Sequence, residues 1–283
     1  TPSTPQEDKA AWAARKQQER EDLYAQIDEA VSTMAGDGPL FQTYLDVQAR
    51  FDRYSVVNAV LIANQMPEAT RLADFDSWKA SGAYVQRGES GISILEPGRE
   101  YRRDDGSVGV SYNIKKVFDI SQTNAQRPAP KVSPDDRQLL KALLHDPPCK
   151  VEVRDEVPGG RNVAYIPDEA NRAILVRRGL DAPTIFRGLA QELARAYLDK
   201  NEKACVNPDF VAYSAAYLLC RRSGVPVDSF SFQRMPEVYR GMDPQALRKE
   251  LGAIREAAGE VTVTMNRFFE VQRSQKARSG GAR

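Results

Sequence analysis

From Glu7 the chain mixes charges with short alanine runs and shows no apolar stripe until Leu23, after which Leu23, Ile27, Ala30, Val31 and Met34 recur every three or four residues. That spacing predicts one helix over 7–34, buried along its second half and stopped by Gly36-Asp37-Gly38. Its charged first half reads as a solvated face, and residues 1–6 as a disordered leader rich in Pro, Ser and Thr. Helices follow at 40–50 and 54–65, the second ending before Met66-Pro67 because a residue before proline leaves the helical region. After a loop containing Thr70, a short helix over 74–81 carries Trp78. The period then changes from about 3.6 to two. Residues 84–86 predict a strand, Arg87-Gly88 a turn and 91–95 a second strand, closed by Pro97-Gly98. A polar tip at 102–106 leads into a third strand over 108–120.

The Pro-rich stretch 126–133 reads as a linker. Beyond it the pattern predicts a helix to about Leu144, with Ser133 as N-cap and Pro134 in its first turn. Short strands follow at 151–153, 162–166 and 173–176, then helices at 184–200, 208–222 and 243–271. The basic, glycine-containing 273–283 reads as a disordered tail. The fold class is α+β throughout. Residues 1–125 form helices with a small antiparallel sheet, and 134–272 form a second α+β domain.

Composition narrows the function classes. The 283 residues are 41% hydrophobic and 28% charged, ordinary for a globular chain. No apolar run approaches the roughly 20 residues needed to span a bilayer, and no signal peptide opens the chain. Cys149, Cys205 and Cys220 are odd in number and widely spaced, which fits a reducing cytoplasm rather than a disulfide framework. Residues 1–130 carry 15 basic and 19 acidic groups, and 131–283 carry 25 and 20. Any nucleic-acid surface is therefore a local patch. The single histidine, His145, excludes every site built on two histidines. It reads as a surface or capping residue, or as a general base with Asp146 that lacks a nearby nucleophile.

On the helix 184–200, Gln191, Glu192 and Arg195 occupy the positions of a zinc hydrolase H-E-x-x-H motif. Two imidazoles four residues apart face one side of a helix and share one Zn²⁺. A glutamine amide is a poor ligand, and an arginine puts a permanent cation where a dication must sit. No metal or other cofactor is expected. Without metal, Glu192 has no activated water on which to act as base, and pairing with Arg195 or Arg187 is its alternative.

Between 54 and 123 a specific series appears: Tyr54-Ser55, Asn58, Leu61-Ile62, Gln65, Trp78, Gly82, then Val85 to Glu89 with Gly91-Ile92, Ile94, Pro97, Val117-Phe118-Asp119 and Gln122-Thr123. This series resembles the N-terminal single-stranded-DNA-binding domain of the ArdC family of bacterial antirestriction and mobile-element proteins. The resemblance implies that 134–272 is a zincin-type domain, degenerate here at Gln191 and Arg195. Its third ligand, a glutamate, would fall near Val211 or Tyr213, with Asp209 the closest carboxylate.

Single strands are held by stacking on aromatic faces and by cations along the phosphates. Tyr54, Trp78, Tyr84, Tyr101 and Tyr112 are the aromatic candidates. Arg53, Lys79, Arg87, Arg102, Arg103, Lys115 and Lys116 are the cationic ones. Asn58 and Gln65 are further candidates for the DNA contact. Bland alternatives stand beside four of these residues: Trp78 as core, Arg87 as turn chemistry, Asn58 and Gln65 as amides that brace the hairpin through buried hydrogen bonds. The leading expectation is non-sequence-specific binding of single-stranded DNA in an antirestriction or conjugation setting. A rival is an interaction module that holds a polypeptide from the host restriction or conjugation machinery in the degenerate cleft. A third is a residual hydrolase using Asp209, Glu192 and a recruited metal.

Overall fold

A computed structural model describes residues 5–102, 106–129 and 133–280. The chain opens with α1 (Pro5–Ala35), α2 (Gly38–Arg50) and α3 (Val56–Gln65). Side-chain caps start the second and third: Asp37 accepts from Leu40 N at 2.9 Å, and Ser55 from Asn58 N at 3.2 Å. A two-residue strand, β1 (Leu72–Ala73), and α4 (Phe75–Ala80) lead to a long hairpin, β2 (Ile92–Arg102) and β3 (Val108–Asp119). The sheet order is β1-β3-β2, all antiparallel.

Two expectations change here. Residues 84–86 are not a strand, since only an isolated bridge joins Val85 to Thr123. β2 instead runs on through Pro97-Gly98, absorbing them in a register shift between Pro97 and Glu100. Proline is tolerated in a strand at such an irregularity on an edge.

The second half adds α5 (Asp136–Leu143), β4 (Lys150–Arg154), β5 (Val163–Ile166), β6 (Ala173–Arg177), α6 (Ala182–Lys200), α7 (Pro208–Ser223), α8 (Met235–Val238) and α9 (Pro244–Gly280). The sheet order is β4-β6-β5, with β4 parallel and β5 antiparallel to β6. The α5 cap is Asp135, which accepts from Gln138 N at 2.8 Å, in place of the expected Ser133. The carboxylate holds the amide of N3, and the helix starts two residues later than Ser133-Pro134 suggested. α9 continues to Gly280 through residues expected to be a disordered tail. Arg273, Gln275, Lys276, Ala277 and Arg278 are all good helix formers, so the helix propagates past its last buried turn.

The stretch 126–133 parts the two sheets, yet the helices on either side share one hydrophobic cluster. The ring of Phe41 on α2 stacks on Phe210 of α7 at 5.7 Å and meets Phe232 edge-on at 5.3 Å. Tyr217 donates its hydroxyl to Asp46 at 2.8 Å, and Arg221 pairs with the same carboxylate. Half-buried Arg222 donates to the carbonyls of Gln48 and Ala49 and to Thr262 of α9. A Cβ on Gly38 would overlap the Phe232 carbonyl, so only glycine lets the start of α2 approach so closely. Trp78, Ala83 and Ile120 form a small satellite cluster beneath the first sheet.

Candidate nucleic-acid interface and degenerate cleft

The side chains singled out between 54 and 123 divide into inward and outward groups. Trp78 points inward. It is 2% exposed, donates its indole N–H to Phe118 O at 2.9 Å and lies under the Arg71 guanidinium at 5.2 Å. The base-stacking expectation for this ring is corrected: it is core, because α4 is too short to bury anything else against β3. Asn58 donates to Leu95 O and accepts from Leu95 N, both at 2.8 Å. Gln65 does the same with Ser93, at 3.0 and 2.8 Å. Two amides seven residues apart on α3 thus pair with the free edge of β2 as a neighbouring strand would.

Asp119, buried, accepts from Thr70 N, Arg71 N and both donors of Ser121 at 2.7–2.9 Å. Burial opposes its charge, but these donors outweigh burial and hold the carboxyl below its ordinary range. Gln122 ties the Asp119 amide to Glu89 and to Ser90 O. The residues that carry the family resemblance are, in this part, the braces of the hairpin.

The outward group comprises Arg53, Lys79, Tyr84, Arg87, Arg102 and Tyr112, all exposed, with Tyr84 at 60%. Arg103 lies outside the described residues, as does the side chain of Tyr101. Lys115 is exposed to no free phosphate geometry, because Asp74 and Glu96 each hold it at 2.9 Å. Hydrogen bonds from Ser77 and Lys115 pull the Asp74 carboxyl down to about 2, and those to Glu96 and Asp74 push the Lys115 ammonium up. Lys116 donates to Ser93 Oγ at 2.6 Å and Gly91 O at 3.2 Å and meets no carboxylate there. Tyr54 is half-buried, edge-on to Phe51 at 5.7 Å, with burial raising its phenol pKa. The outer hairpin also presents Val108 and Val110 with Tyr112, alternate residues of β3 and all exposed. Their register partners are Arg102, Glu100 and Pro97.

Sequence reasoning missed the first half of α1. Trp12 is 57% exposed and, with Lys16, Glu19 and Arg20, faces Asn113 and Ile114 of β3 across a groove of about 290 Å³. The available signal was an aromatic at four-residue spacing from two cations inside a run read as solvated. His145 is half-buried with its ring 5.8 Å from that of Phe268.

In the second half, α6, β5, the loop at 160–162, Tyr213 and residues 229–230 enclose a cleft of about 530 Å³. Gly188 lets α6 reach β5, since a Cβ there would collide with Val163. Glu192 is 6% exposed. Its Oε2 accepts from Tyr165 N at 3.0 Å, and Arg161 Nη1 stands 3.8 Å from Oε1. The expected pairing with Arg195 or Arg187 gives way to these two partners. Burial raises the Glu192 pKa, and the Tyr165 amide and Arg161 only partly offset it. Arg187 donates instead to Thr184 Oγ1 at 2.9 Å and Pro226 O at 3.5 Å. Arg195 turns away from the cleft to Asp199 and, at 3.2 Å, Asp209.

The residues do not fit zinc. Gln191 lines the cleft with an amide, Arg195 carries an ion-paired cation, and Tyr213 lines it near where a glutamate would be needed. Among the described residues no three His, Cys, Asp or Glu side chains stand together as a metal site requires. Nor is any described helix long and apolar enough to cross a membrane.

Comparison with known proteins finds similarity in sequence over the first half and in fold over most of the chain. Residues 17–128 match the model of the N-terminal domain of anti-restriction factor ArdC. An uncharacterized protein of Bacillus anthracis is 24% identical over 284 aligned residues, covering 81% of this chain and 48% of that protein. This chain therefore spans about half the length of the curated relative it matches. Two crystal forms of the antirestriction ArdC protein from the R388 plasmid share the fold. The metal-free form superposes with TM-score 0.52 at 17% identity, over 76% of this chain and 86% of that one. The Mn(II)-bound form gives 0.51 at 15%, over 75% and 85%.

Proposed function

For an ArdC-like chain whose residues 17–128 form an ArdC N-terminal domain, we propose binding of single-stranded DNA without sequence preference, in the antirestriction setting of a mobile element. The hairpin and the loops beside it make the contact. The α6 cleft, with Gln191 and Arg195 at the ligand positions, cuts nothing. The observation that carries this reading is the exposure of the cations Arg53, Lys79, Arg87 and Arg102 and of the aromatics Tyr84 and Tyr112. Cations along a backbone and aromatics for bases are what a single strand requires. The test is fluorescence anisotropy with a short labelled oligonucleotide across a salt series. Binding that weakens steeply with salt is expected, and no binding at low salt removes the proposal.

A second reading is favoured by the cleft itself, which keeps its walls after losing its ligands. β5 is the edge strand of its sheet and borders the cleft, so an extended polypeptide has a surface to lie on. Nuclease-resistant pull-down of a host restriction or conjugation protein, lost on Ser229→Trp at the exposed rim of the cleft, supports that reading. Loss of the pull-down after nuclease returns it to DNA.

A further inference from the structure

The groove between α1 and β3 belongs to none of the surfaces above. Trp12 precedes the residues matched by the ArdC domain and is the exposed one of the two tryptophans. Helical spacing sets Trp12, Lys16 and Arg20 on neighbouring turns of one side of α1. Lys16 is held by Glu19 at 2.7 Å, whereas among the described residues half-buried Arg20 meets no carboxylate and donates to the neutral amide of Gln17 at 2.8 Å. The groove thus keeps one uncompensated cation beside an indole face. Its other wall is Asn113 and apolar Ile114 of β3.

Strand alternation puts Ile114 on the face of β3 that carries Val108, Val110 and Tyr112 toward the tip and Lys116 toward the body. The groove is therefore continuous with an exposed apolar and aromatic strip that has cations at both ends, Lys116 and, across from Val108, Arg102.

We propose that this groove seats an unpaired base of a single-stranded nucleic acid: Trp12 stacks on the base, Arg20 meets the adjoining phosphate, and the strand continues along the outer face of β3. The occupant follows from the chemistry. A π-face beside a guanidinium that meets no described carboxylate suits a base and its phosphate, and about 290 Å³ is near the lower end of small-ligand sites. The inference rests on the single-strand reading above and names the residues for it.

The intact chain is titrated with a short single-stranded oligodeoxynucleotide while intrinsic tryptophan emission and anisotropy are both recorded. Because Trp78 is buried, quenching on binding reports Trp12. Trp12→Ala is expected to weaken binding about 5- to 100-fold, as loss of one stacked base does. Trp12→Phe should restore part of that affinity, and its remaining emission, from Trp78, should not change with DNA. Unchanged far-ultraviolet circular dichroism of Trp12→Ala confirms the fold, as its 57% exposure implies. If the wild type binds DNA but Trp12→Ala binds equally well, or if the wild-type emission is not quenched on binding, the groove assignment is wrong and the single-strand reading stands. If the wild type binds no DNA at low salt, both fall.

Discussion

Glu192 carries a charge where water barely reaches, and its pKa is raised by burial. A carboxyl whose folded pKa is raised binds its proton more tightly in the native state. Stability therefore falls as pH rises from the unfolded carboxylate range, near about 4.3, through the raised value. Glu192→Gln keeps an oxygen for the Tyr165 amide and removes the buried charge. It should melt no lower than wild type at neutral pH, each kcal/mol recovered adding about 2–4 °C to Tm, and lose that segment of the pH dependence. A lower Tm for the variant at neutral pH would mean Arg161 outweighs burial. Asn58 tests the bracing role: Asn58→Ala orphans the N–H and C=O of Leu95, each costing about 1–3 kcal/mol. Urea unfolding should show that loss, and an unchanged midpoint would contradict it. At this scale the sequence was only half legible. Spacing placed Asn58 and Gln65 on one helix face and offered them as braces of the hairpin, and the tertiary structure adds that the strand they hold is β2, by its open edge.

The hairpin is the element on which the DNA reading stands. β2 and β3 pair over eleven and twelve residues, longer than the body beneath them needs. Among its cations, Lys115 is already held by two carboxylates, so Lys115→Ala should leave the salt dependence of DNA binding nearly unchanged. Arg102→Ala and Arg87→Ala should each reduce the slope of log K against log salt by about 0.7, the value for one phosphate contact on a single strand. Equal effects of all three substitutions would show that local ion pairs do not decide which cations act. The strands themselves were readable from their alternation. The run of β2 through Pro97-Gly98 was not, because a bulge on an edge cancels the usual meaning of proline. α6 was read correctly as a helix with a buried face from its three- and four-residue spacing, yet its Glu192 partners come from residues 161 and 165, which no local pattern links to it.

At the scale of the molecule, α1–α3 lean on α7 and α9 through Phe41, Tyr217, Arg222 and the ion pair of Asp28 with Arg248. Residues 1–125 expressed alone should therefore expose apolar surface, bind a hydrophobic dye and melt broadly. Phe41→Ala in the intact chain should cost about 3–5 kcal/mol and lower one shared transition. A sharp, dye-free melt of the fragment, or a variant that lowers only one of two transitions, would show two independent cores.

The sequence by itself determined the local choices. Apolar spacing set the helices, alternation set the hairpin, and the residue types at 191 and 195 set what those positions can offer a ligand, because ligand chemistry is a property of the side chain wherever it lies. The tertiary structure alone decided which charges are cancelled, which aromatics are covered and that both halves share a core. Those depend on contacts between residues far apart in the chain, such as Asp74 with Lys115 or Asp46 with Tyr217. The same dependence makes Trp78 core and leaves Trp12 open to solvent: an indole stacks or packs according to what lies across from it.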